Sequence, residues 1–328
     1  MSEFEPPPFD PHPFLRGGHL QTIAATRKVS SDLLRPSQHV VSVSAGDSIV
    51  LHEDCPHDWV PGDRSILLVH GLSGCHSAPY MLRLAERFLK LGSRVFRMDM
   101  RGCGAARPLA RNLAHAGRSD DVVSALQFIS AKSQKGPVLA IGVSLGAGQL
   151  LRAVGRIGCG VAIKPVWFER LERIAVVAPP LDLRRCSVNM QRWSLRPYNY
   201  YFIRLLLDSV PPGVLQRAEF QKAILERRPR TLWELDDRIT APLSDFDGAE
   251  DYYDQASACH VASFNTVPTL VLAAADDPIV PVGCFTDNPG LWPPTTRLFI
   301  TNTGGHMGFL DRRRKCWVDE ALVSWFSA

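Results

Sequence analysis

Gly142-Val143-Ser144-Leu145-Gly146 is the stretch that decides the fold of this chain of 328 residues. It follows an apolar run at residues 137–141 and precedes a segment with helical spacing, Ala147 to Arg156. A strand, a Gly-x-Ser-x-Gly sequence and a helix in this order form a sharp turn that exposes the serine hydroxyl. The glycines suit such a turn, because it leaves little room for Cβ atoms near the neighbouring strand and helix. The pattern also arises by chance, so the rest of the sequence has to support it.

Composition indicates a folded domain and excludes several classes of protein. Apolar residues make up 45% of the chain and charged residues 21%, which are globular values. The formal net charge of +4 is too small to predict nucleic-acid binding. The acidic N-terminus lacks the features of a signal peptide, and no apolar run is long enough to span a membrane. We therefore expect a cytoplasmic protein without a transmembrane segment, and leave transient contact with a membrane surface open.

The eight cysteines are scattered, and none forms a Cys-x-x-Cys pair or joins a histidine at zinc-finger spacing. In a chain long enough to bury a sizeable core, we expect them to be reduced and partly buried thiols. The sequence therefore predicts no disulfide framework, no metal site and no cofactor. The oligomeric state stays open.

Short apolar runs alternate with segments of helical spacing along most of the chain. Two alternating stretches, Gln38–Ser44 and Ser48–Glu53, flank a Gly-Asp turn and predict an antiparallel hairpin. The later apolar runs are typical of buried parallel strands, and they occupy residues 65–69, 94–98, 138–143, 173–177, 269–273 and 297–300. Helical spacing occurs between them at Tyr80–Leu91 and at Asp120–Ser130, the latter with Ser119-Asp120 as the expected N-terminal cap. The pattern predicts an α/β fold with a mostly parallel sheet and helices on both faces.

One long interval lacks a buried strand. Residues 183–264 carry aromatic side chains and short helical pieces, and an unstructured loop of that length is improbable in a compact domain. We interpret the interval as a helical cap inserted between two strands; the alternative is an ordinary helical layer with no role in substrate binding. The prediction divides the chain into an N-terminal extension packed on the core (residues 1–36), the core (37–182 and 265–328) and this cap (183–264).

A nucleophilic serine needs a histidine as base and a carboxylate that orients the base. Downstream of Ser144 the histidines are His260 and His306. We favour His306, because it lies in a glycine-rich loop directly after the last apolar run, whereas His260 falls within the predicted cap. The carboxylate should follow the preceding strand, where Asp276 and Asp277 both stand. Asp277 is preferred, because an apolar-apolar-proline run follows one residue later, which leaves Asp276 as a turn or capping carboxylate.

Two backbone N–H groups are candidates for binding the oxyanion of a tetrahedral intermediate. One belongs to Leu145, the residue after the serine, at the N-terminus of the predicted helix. The other belongs to Leu72, in the loop His70-Gly71-Leu72-Ser73-Gly74 after the first buried strand. The predicted site therefore consists of three catalytic side chains and two backbone donors: Ser144, Asp277, His306, Leu72 and Leu145.

Ordered blocks of sequence from about residue 17 to residue 310 match the motifs of one known family. They are Gly18-His19-Leu20-Gln21-Thr22, His70-Gly71-Leu72, Phe96-Arg97-Met98-Asp99 with Arg101-Gly102-Cys103-Gly104, Gly142–Gly146, Glu234-Leu235-Asp236-Asp237, Asp251-Tyr252-Tyr253, Asp276-Asp277-Pro278 and Gly304–Phe309. On these blocks the chain resembles the YheT-like, EMB8-type branch of the α/β-hydrolases, which includes animal abhydrolase-domain lipases. The resemblance covers nearly the whole chain.

The resemblance implies a serine hydrolase that cleaves carboxylic esters through an acyl-enzyme on Ser144, with Asp277 and His306 as the other triad members. It implies a small-molecule ester or acyl lipid as the substrate, and hydrophobic acyl groups are favoured. Two alternatives stay open: an acyltransferase or ester synthase that passes the acyl group to an alcohol, and a non-catalytic ligand-binding protein on the same scaffold.

Two blocks limit what the resemblance can specify. Ala147-Gly148-Gln149 stands where the family more usually has Gly-Gly-Asn, which warns against assigning a relative's substrate to this chain. Asp236-Asp237 and Tyr252-Tyr253 fall within the predicted cap. They either line the acyl pocket or anchor the cap to the core, and we favour anchoring.

Overall fold

Eight strands form one sheet in the computed structural model, which describes residues 4–27 and 30–328. In chain order they are β1 (Ser37–Ser42), β2 (Ser48–Asp54), β3 (Ser65–Val69), β4 (Arg94–Asp99), β5 (Val138–Val143), β6 (Leu171–Val177), β7 (Thr269–Ala274) and β8 (Thr296–Thr301). Across the sheet their order is β1-β2-β4-β3-β5-β6-β7-β8. β2 pairs antiparallel with β1 and with β4, and the other neighbours pair parallel. The predicted hairpin and mostly parallel sheet are confirmed.

The described residues also form α-helices that connect and cover the strands. They are α1 (Gly18–Ala24), α2 (Pro79–Lys90), α3 (Ser119–Lys132), α4 (Leu145–Gly158), α5 (Leu183–Met190), α6 (Arg196–Ser209), α7 (Pro212–Leu215), α8 (Ala218–Glu226), α9 (Leu232–Leu235), α10 (Ala249–Ala256), α11 (Gly283–Thr286) and α12 (Trp317–Ser327). Along residues 4–27 and 30–328, none of them combines the length and the apolar character that a membrane crossing needs.

Helices pack on both faces of the sheet, as the sequence predicts. On one face α3 and α4 contribute Leu126 and Leu150 to a buried apolar cluster with the strands. On the other face α2 and α12 contribute Met81 and Trp325 to a second cluster. Successive residues of each strand point to opposite faces and both faces are covered, so the parallel strands are apolar at nearly every position.

Residues 183–264, all of which the structure describes, form helices α5 to α10 and no strand. Cys186, Ala258 and Ala262 join the cluster that α3 and α4 form with the sheet. Other apolar side chains of the segment form two further clusters, one around Val214 and Phe220 and one around Tyr252 and Tyr253. Both clusters also contain core residues, Leu113 in the first and Ala116 in the second. The segment is therefore attached to the core along residues 113–116, while its role as a cap and the proposed domain boundaries stay predictions.

The predicted cap of α3 is wrong. Ser119 is the first residue of the helix, and no side chain caps the helix N-terminus. The Ser119 hydroxyl instead accepts a hydrogen bond of 2.7 Å from Arg152 of α4. Asp120 and Asp121 in the first turn complement the helix dipole in place of a cap.

The cysteines are free thiols, four of them buried: Cys103, Cys186, Cys284 and Cys316. Burial raises the pKa of Cys103 and of Cys316 to about 12 in each case. A thiol with so high a pKa carries almost no thiolate at neutral pH and is a poor nucleophile. These two residues therefore act as small apolar side chains of the core.

Candidate active site

The carboxyl ends of the parallel strands carry the predicted site residues. β3 leads into the loop at 70–74, β5 into Ser144, β7 into Asp277, and β8 into the loop that contains His306. Because parallel strands end at the same edge of a sheet, these four segments converge on one crevice.

Ser144 stands in the turn between β5 and α4 in a strained backbone conformation, with φ of 50° and ψ of −119°. The flanking glycines allow close approach of the backbone. A Cβ at Gly142 would lie 2.6 Å from Ala147 Cα, and a Cβ at Gly146 would lie 2.4 Å from the His70 carbonyl oxygen. The turn therefore requires glycine at both positions, which is the reason the Gly-x-Ser-x-Gly pattern carries structural information.

The structure brings Ser144, His306 and Asp277 into one chain of hydrogen bonds. Ser144 Oγ lies 2.8 Å from His306 Nε2, and His306 Nδ1 lies 2.8 Å from Asp277 Oδ2. The other carboxylate oxygen accepts the N–H groups of Ile279 at 2.8 Å and Val280 at 3.0 Å. With Nδ1–H donated to the carboxylate, Nε2 is the atom that can accept the serine proton.

The two residues that we set aside have other partners. Asp276 accepts hydrogen bonds of 2.8 Å from Thr303 Oγ1 and from the Gly305 N–H, so it braces the loop that precedes His306. The His260 side chain is 55% exposed, and its Nε2 lies 3.5 Å from Asp254 Oδ1. The structure thus places Asp276 beside the site and His260 away from it.

The side chains of His70, which is buried, and Tyr80, which is partly buried, fix the loop between β3 and α2. The Gly71 N–H donates to Tyr80 Oη at 2.8 Å. His70 Nε2 accepts the Met100 N–H at 3.2 Å, so His70 Nδ1 carries the proton and donates to the Gly71 carbonyl at 2.7 Å. Burial lowers the pKa of His70 and raises the pKa of Tyr80 to about 12, so both stay uncharged at neutral pH. A Cβ at Gly71 would lie 3.1 Å from Ser144 Cβ, which shows how closely the loop approaches the serine.

Leu72 and Leu145 border the cavity beside Ser144. Neither backbone N–H finds a hydrogen-bond acceptor among the residues that the structure describes. The Leu145 N–H also lies at the start of α4, where the helix dipole favours negative charge. Both groups are therefore available to an oxyanion next to the serine.

Helix α1 supports the His306 loop, a role that sequence reasoning missed. The His306 N–H donates to Thr22 Oγ1 at 2.8 Å, and the same hydroxyl donates to the Gly18 carbonyl at 2.6 Å. A Cβ at Gly18 would lie 1.8 Å from the Asp276 carbonyl oxygen, so only glycine permits this contact. α1 therefore packs directly on the loops that carry the candidate acid and base.

Gln21 connects α1 to the segment that follows His306. Its fully buried side chain accepts the Leu310 N–H at 2.7 Å and donates to the Leu310 carbonyl at 3.2 Å. His19 Nδ1, also on α1, lies 3.1 Å from Tyr198 Oη of α6. The Gly18–Thr22 motif could have indicated this role, because it stands as an ordered motif within an otherwise irregular, proline-rich region.

A largely apolar cavity of about 850 Å³, including its open mouth, extends from Ser144 and His306. Its apolar walls combine core residues with residues of 183–264: Leu72, Ala114, Leu145, Pro180, Leu183, Met190, Phe202, Leu206, Leu232, Ile279 and Val280. Such a lining suits hydrocarbon better than a peptide or a sugar.

A small polar network interrupts the apolar wall. Tyr253 Oη donates to Asp236 Oδ2 at 2.8 Å and lies 2.9 Å from Ser187 Oγ. Tyr252 Oη accepts the Ala116 N–H at 3.0 Å. Burial raises the pKa of Asp236 to about 6. Asp236, Tyr252 and Tyr253 line the cavity, and Tyr252 also connects the 183–264 segment to the core at Ala116, as anchoring predicts. The choice between an acyl-binding and an anchoring role for the two blocks stays a prediction.

Gln149 of α4 holds the core loop that contains His115. It is 2% exposed, and its Nε2 donates to the His115 carbonyl at 3.0 Å. The residue at this departure from the usual family pattern is therefore part of the packing between α4 and the loop that contains His115.

One cluster has the residue types of a metal site. The ligand atoms of His52, His76 and Asp99 lie within 4.8 Å of one another, although these residues are far apart in the sequence. Both imidazoles approach Asp99 Oδ2 at 2.9 Å, and their rings stack with centroids 3.4 Å apart. Ligands of a tetrahedral metal radiate from a common centre, which stacked rings do not. Although burial opposes it, hydrogen bonds from the two histidines hold the Asp99 pKa well below its usual range. We read the cluster as a hydrogen-bonded support for the turn after β4.

The fold and the site together define a class: an α/β protein with a serine after β5, an aspartate after β7 and a histidine after β8, all at one edge of the sheet. The family model described as alpha/beta hydrolase fold matches residues 64–313. The chain therefore belongs to the α/β-hydrolase family.

Three curated relatives agree with the YheT-like resemblance, which is confirmed. The chain is 27% identical to the Escherichia coli protein named "Putative esterase YheT", over 80% of this chain and 76% of that protein. It is 26% identical to the medium-chain fatty acid ethyl ester synthase/esterase 2 of Saccharomyces cerevisiae, over 80% and 61% of the two chains. It is 25% identical to phospholipase ABHD3 of Bos taurus, over 94% and 75%.

Solved structures show the same fold at lower sequence identity. The esterase Pf2001 of Pyrococcus furiosus has a TM-score of 0.58 and 15% identity, with 92% of this chain and 96% of that chain covered. Est1E of Butyrivibrio proteoclasticus, determined with ferulic acid bound, has a TM-score of 0.55 and 13% identity, with 88% and 97% covered. At such identities the likeness concerns the fold alone.

Proposed function

We propose that the protein is a serine hydrolase that cleaves carboxylic esters with hydrophobic acyl groups through an acyl-enzyme on Ser144. The observation that carries the proposal is the continuous hydrogen-bond chain from Ser144 Oγ through His306 to Asp277, with both distances 2.8 Å. The backbone N–H groups of Leu72 and Leu145, which have no acceptor within residues 4–27 and 30–328, and the apolar cavity beside the serine support it. The names of the relatives, an esterase, an ester synthase/esterase and a phospholipase, agree with ester chemistry.

In the proposed reaction Ser144 Oγ attacks the ester carbonyl while His306 Nε2 takes its proton. Asp277 stabilises the imidazolium, and the N–H groups of Leu72 and Leu145 bind the oxyanion. When the tetrahedral intermediate collapses, His306 gives the proton to the leaving alkoxide. His306 then deprotonates a water molecule, which attacks the acyl-enzyme. When the second tetrahedral intermediate collapses, the bond from the acyl carbon to Ser144 Oγ breaks, His306 returns the proton to Ser144 Oγ, and the acid is released.

Replacement of the nucleophile tests the proposal. We expect Ser144→Ala to keep its circular dichroism spectrum and melting temperature, but to lose fluorophosphonate labelling and about 10⁶-fold of its turnover of nitrophenyl esters. Ser187→Ala is the matched control, because it removes another serine hydroxyl from the same cavity. Labelling or undiminished hydrolysis in Ser144→Ala would refute the assignment, and absence of labelling in the wild type would favour a ligand-binding protein.

Acyl transfer to an alcohol is the second candidate function. The apolar cavity favours this reaction, because apolar walls limit the water that competes with the alcohol for the acyl-enzyme. The yeast relative's name includes both ester synthesis and ester hydrolysis. Titration of ethanol against a fixed acyl donor, with acid and ethyl ester both quantified, separates the two. Hydrolysis predicts acid as the main product until ethanol is a large fraction of the solvent.

A further inference from the structure

An open cleft, which we call the α3 cleft, lies where the parallel strands begin, at the opposite end of the sheet from Ser144. One wall is the last part of α3 with the residues that follow it, and the other is the 3₁₀ turn Val166–Arg170, which leads into β6. The cleft encloses about 870 Å³ including its open mouth. Ser144 follows β5 at the other end of the sheet, and a strand of six residues spans about 20 Å. A ligand in the α3 cleft therefore contacts none of the candidate catalytic groups.

Three hydrogen-bond donors of residues that line this cleft have no acceptor within residues 4–27 and 30–328. They are Ser130 Oγ, Trp167 Nε1 and Arg170 Nη1, and each of these atoms is shielded from bulk solvent. Ser130 as a whole is 1% exposed. The Arg170 guanidinium is held by its other terminal nitrogen, because Nη2 donates to the Ser130 carbonyl at 2.6 Å. Buried donors nearly always have partners in folded proteins, so three unpaired donors around one cleft indicate a site for an acceptor.

The α3 cleft is also positively charged. Lys135 and Arg170 line it, and none of the described residues in its lining is acidic. Neither cation forms an ion pair within the part of the chain that the structure describes, and Glu169, the sequence neighbour of Arg170, is paired with Lys164 instead. A phosphate monoester has a charge of about −1.5 to −2 at neutral pH and three strong acceptor oxygens. Such a dianion matches the two cations and the unpaired donors better than a carboxylate does.

The margin of the cleft suits an apolar substituent on the anion. Val166 lines the cleft and is 97% exposed, and the loop before it also exposes Val161 and Ile163. Contact with hydrocarbon would remove these aliphatic side chains from water, which is favourable. The α3 cleft thus combines a cationic floor with an apolar margin.

We propose that the α3 cleft binds a small amphipathic phosphate monoester. Its phosphate accepts charge-assisted hydrogen bonds from Arg170 and Lys135 and further bonds from Ser130 and Trp167, and its organic group lies on Val166. The unpaired donor atoms lie beneath the surface of the cleft, and side-chain rotations of the kind that commonly accompany binding turn them toward the ligand. The proposal does not depend on ester hydrolysis, because it uses none of the groups around Ser144.

Calorimetric titration with hexyl phosphate tests the proposal, and inorganic phosphate and hexanoate are the reference ligands. We expect saturable binding of hexyl phosphate to the wild-type protein. Hexanoate has the same chain but a single charge and fewer acceptor oxygens, so it should bind at least about tenfold more weakly. Inorganic phosphate lacks the apolar group and should also bind more weakly than hexyl phosphate.

A lysine substitution with a matched control locates the bound anion. Lys135→Gln removes one cation of the cleft, and we expect it to weaken the binding of hexyl phosphate by about tenfold at low salt. Lys222→Gln removes an exposed lysine of α8, away from the cleft, and should leave the binding unchanged.

Ser130→Ala separates a ligand-binding role from a structural one. The Ser130 hydroxyl has no partner in the described chain, so its removal should leave the melting temperature of the ligand-free protein unchanged or raise it. The same substitution should weaken the binding of hexyl phosphate by about tenfold, because the ligand loses a hydrogen bond to a charged group.

Three results would overturn the proposal. They are the absence of saturable binding at millimolar hexyl phosphate, equal binding of hexanoate, and binding that both Lys135→Gln and Ser130→Ala leave unchanged. The last result would place the ligand elsewhere, the cavity beside Ser144 included. Fluorophosphonate labelling of Ser144 tests ester chemistry separately, so failure of either proposal leaves the other standing.

Discussion

Asp236 is a carboxyl group in a largely apolar setting. Its ionisation lowers the stability of the folded state, so this stability depends on pH. Burial raises its pKa from 3.8 to about 6, so the folded state binds the proton more tightly than the unfolded state does. The resulting stabilisation is present below about pH 4 and is lost as the pH rises through about 6.

A comparison with Asp236→Asn isolates this effect. Asparagine also accepts the Tyr253 hydrogen bond but cannot ionise, so the wild type should lose on the order of 3 kcal/mol relative to the variant between about pH 4 and pH 7. Urea unfolding of both proteins across this range gives the difference. Parallel curves would show that Asp236 titrates normally in the folded state.

Tyr80 is a second residue whose role can be measured. Tyr80→Phe removes the acceptor of the Gly71 N–H and leaves that group buried without a partner, which costs about 1–3 kcal/mol in the loop that carries Leu72. We expect kcat to fall at least about tenfold with little change in KM, because the Leu72 N–H of this loop would bind the oxyanion mainly in the transition state. Tyr201→Phe, at a side chain 53% exposed, is the control. A rise in KM alone would assign Tyr80 to substrate binding.

At the scale of elements, the strands and their loops could be predicted and α1 could not. Each strand has a local signature, which is alternation in β1 and β2 and an apolar run in the others. Ser144, Asp277 and His306 each follow an apolar run, so chain order sufficed to group them. The function of α1 depends on Thr22 and Gln21 meeting residues 306 and 310, and no local pattern records such a pairing. The lining of the cavity escaped prediction for the same reason, because Phe202 and Leu206 of α6 meet the loops around Ser144 only in the folded chain.

Thr22 tests whether α1 acts as a positioning element. Thr22→Val keeps the shape but leaves the His306 N–H without its acceptor, and we expect kcat and the rate of fluorophosphonate labelling to fall together by about tenfold or more. Thr22→Ser restores the hydroxyl and should recover most of the rate. If the valine variant labels at the wild-type rate and only its melting temperature falls, α1 is a stabilising element alone.

For the whole molecule, a buried arginine joins parts that are distant in sequence. Arg101 is 1% exposed and binds Asp47 in the hairpin loop at 2.8 Å and Asp121 of α3 at 2.6 Å. Removal of one partner from a buried ion pair leaves charge without compensation. The sequence places Arg101 in the motif Arg101–Gly104 but does not predict its pairing with Asp47 and Asp121, because these two residues belong to other segments of the chain.

We expect Arg101→Met to lower the free energy of unfolding by about 3–5 kcal/mol, since two buried carboxylates then lack a counter-charge. Arg312→Met is the control: Arg312 pairs with Asp10 at 2.7 Å, but its side chain is 69% exposed. Loss of such an exposed pair should cost no more than about 1 kcal/mol. Equal effects of the two substitutions in urea unfolding would contradict the central role of Arg101.

The contacts of α1 also determine when the protein can begin to work. Thr22 and His306 are 284 positions apart, and Gln21 and Leu310 are 289 apart. At a synthesis rate of about 5–20 residues per second, α1 leaves the ribosome roughly 15–60 s before these partners exist. The turn around Ser144 emerges in between, with no base or acid beside it. If Ser144 is the nucleophile, as proposed, the nascent chain stays inactive until translation has passed residue 310 and α1 can pack on the loop that contains His306.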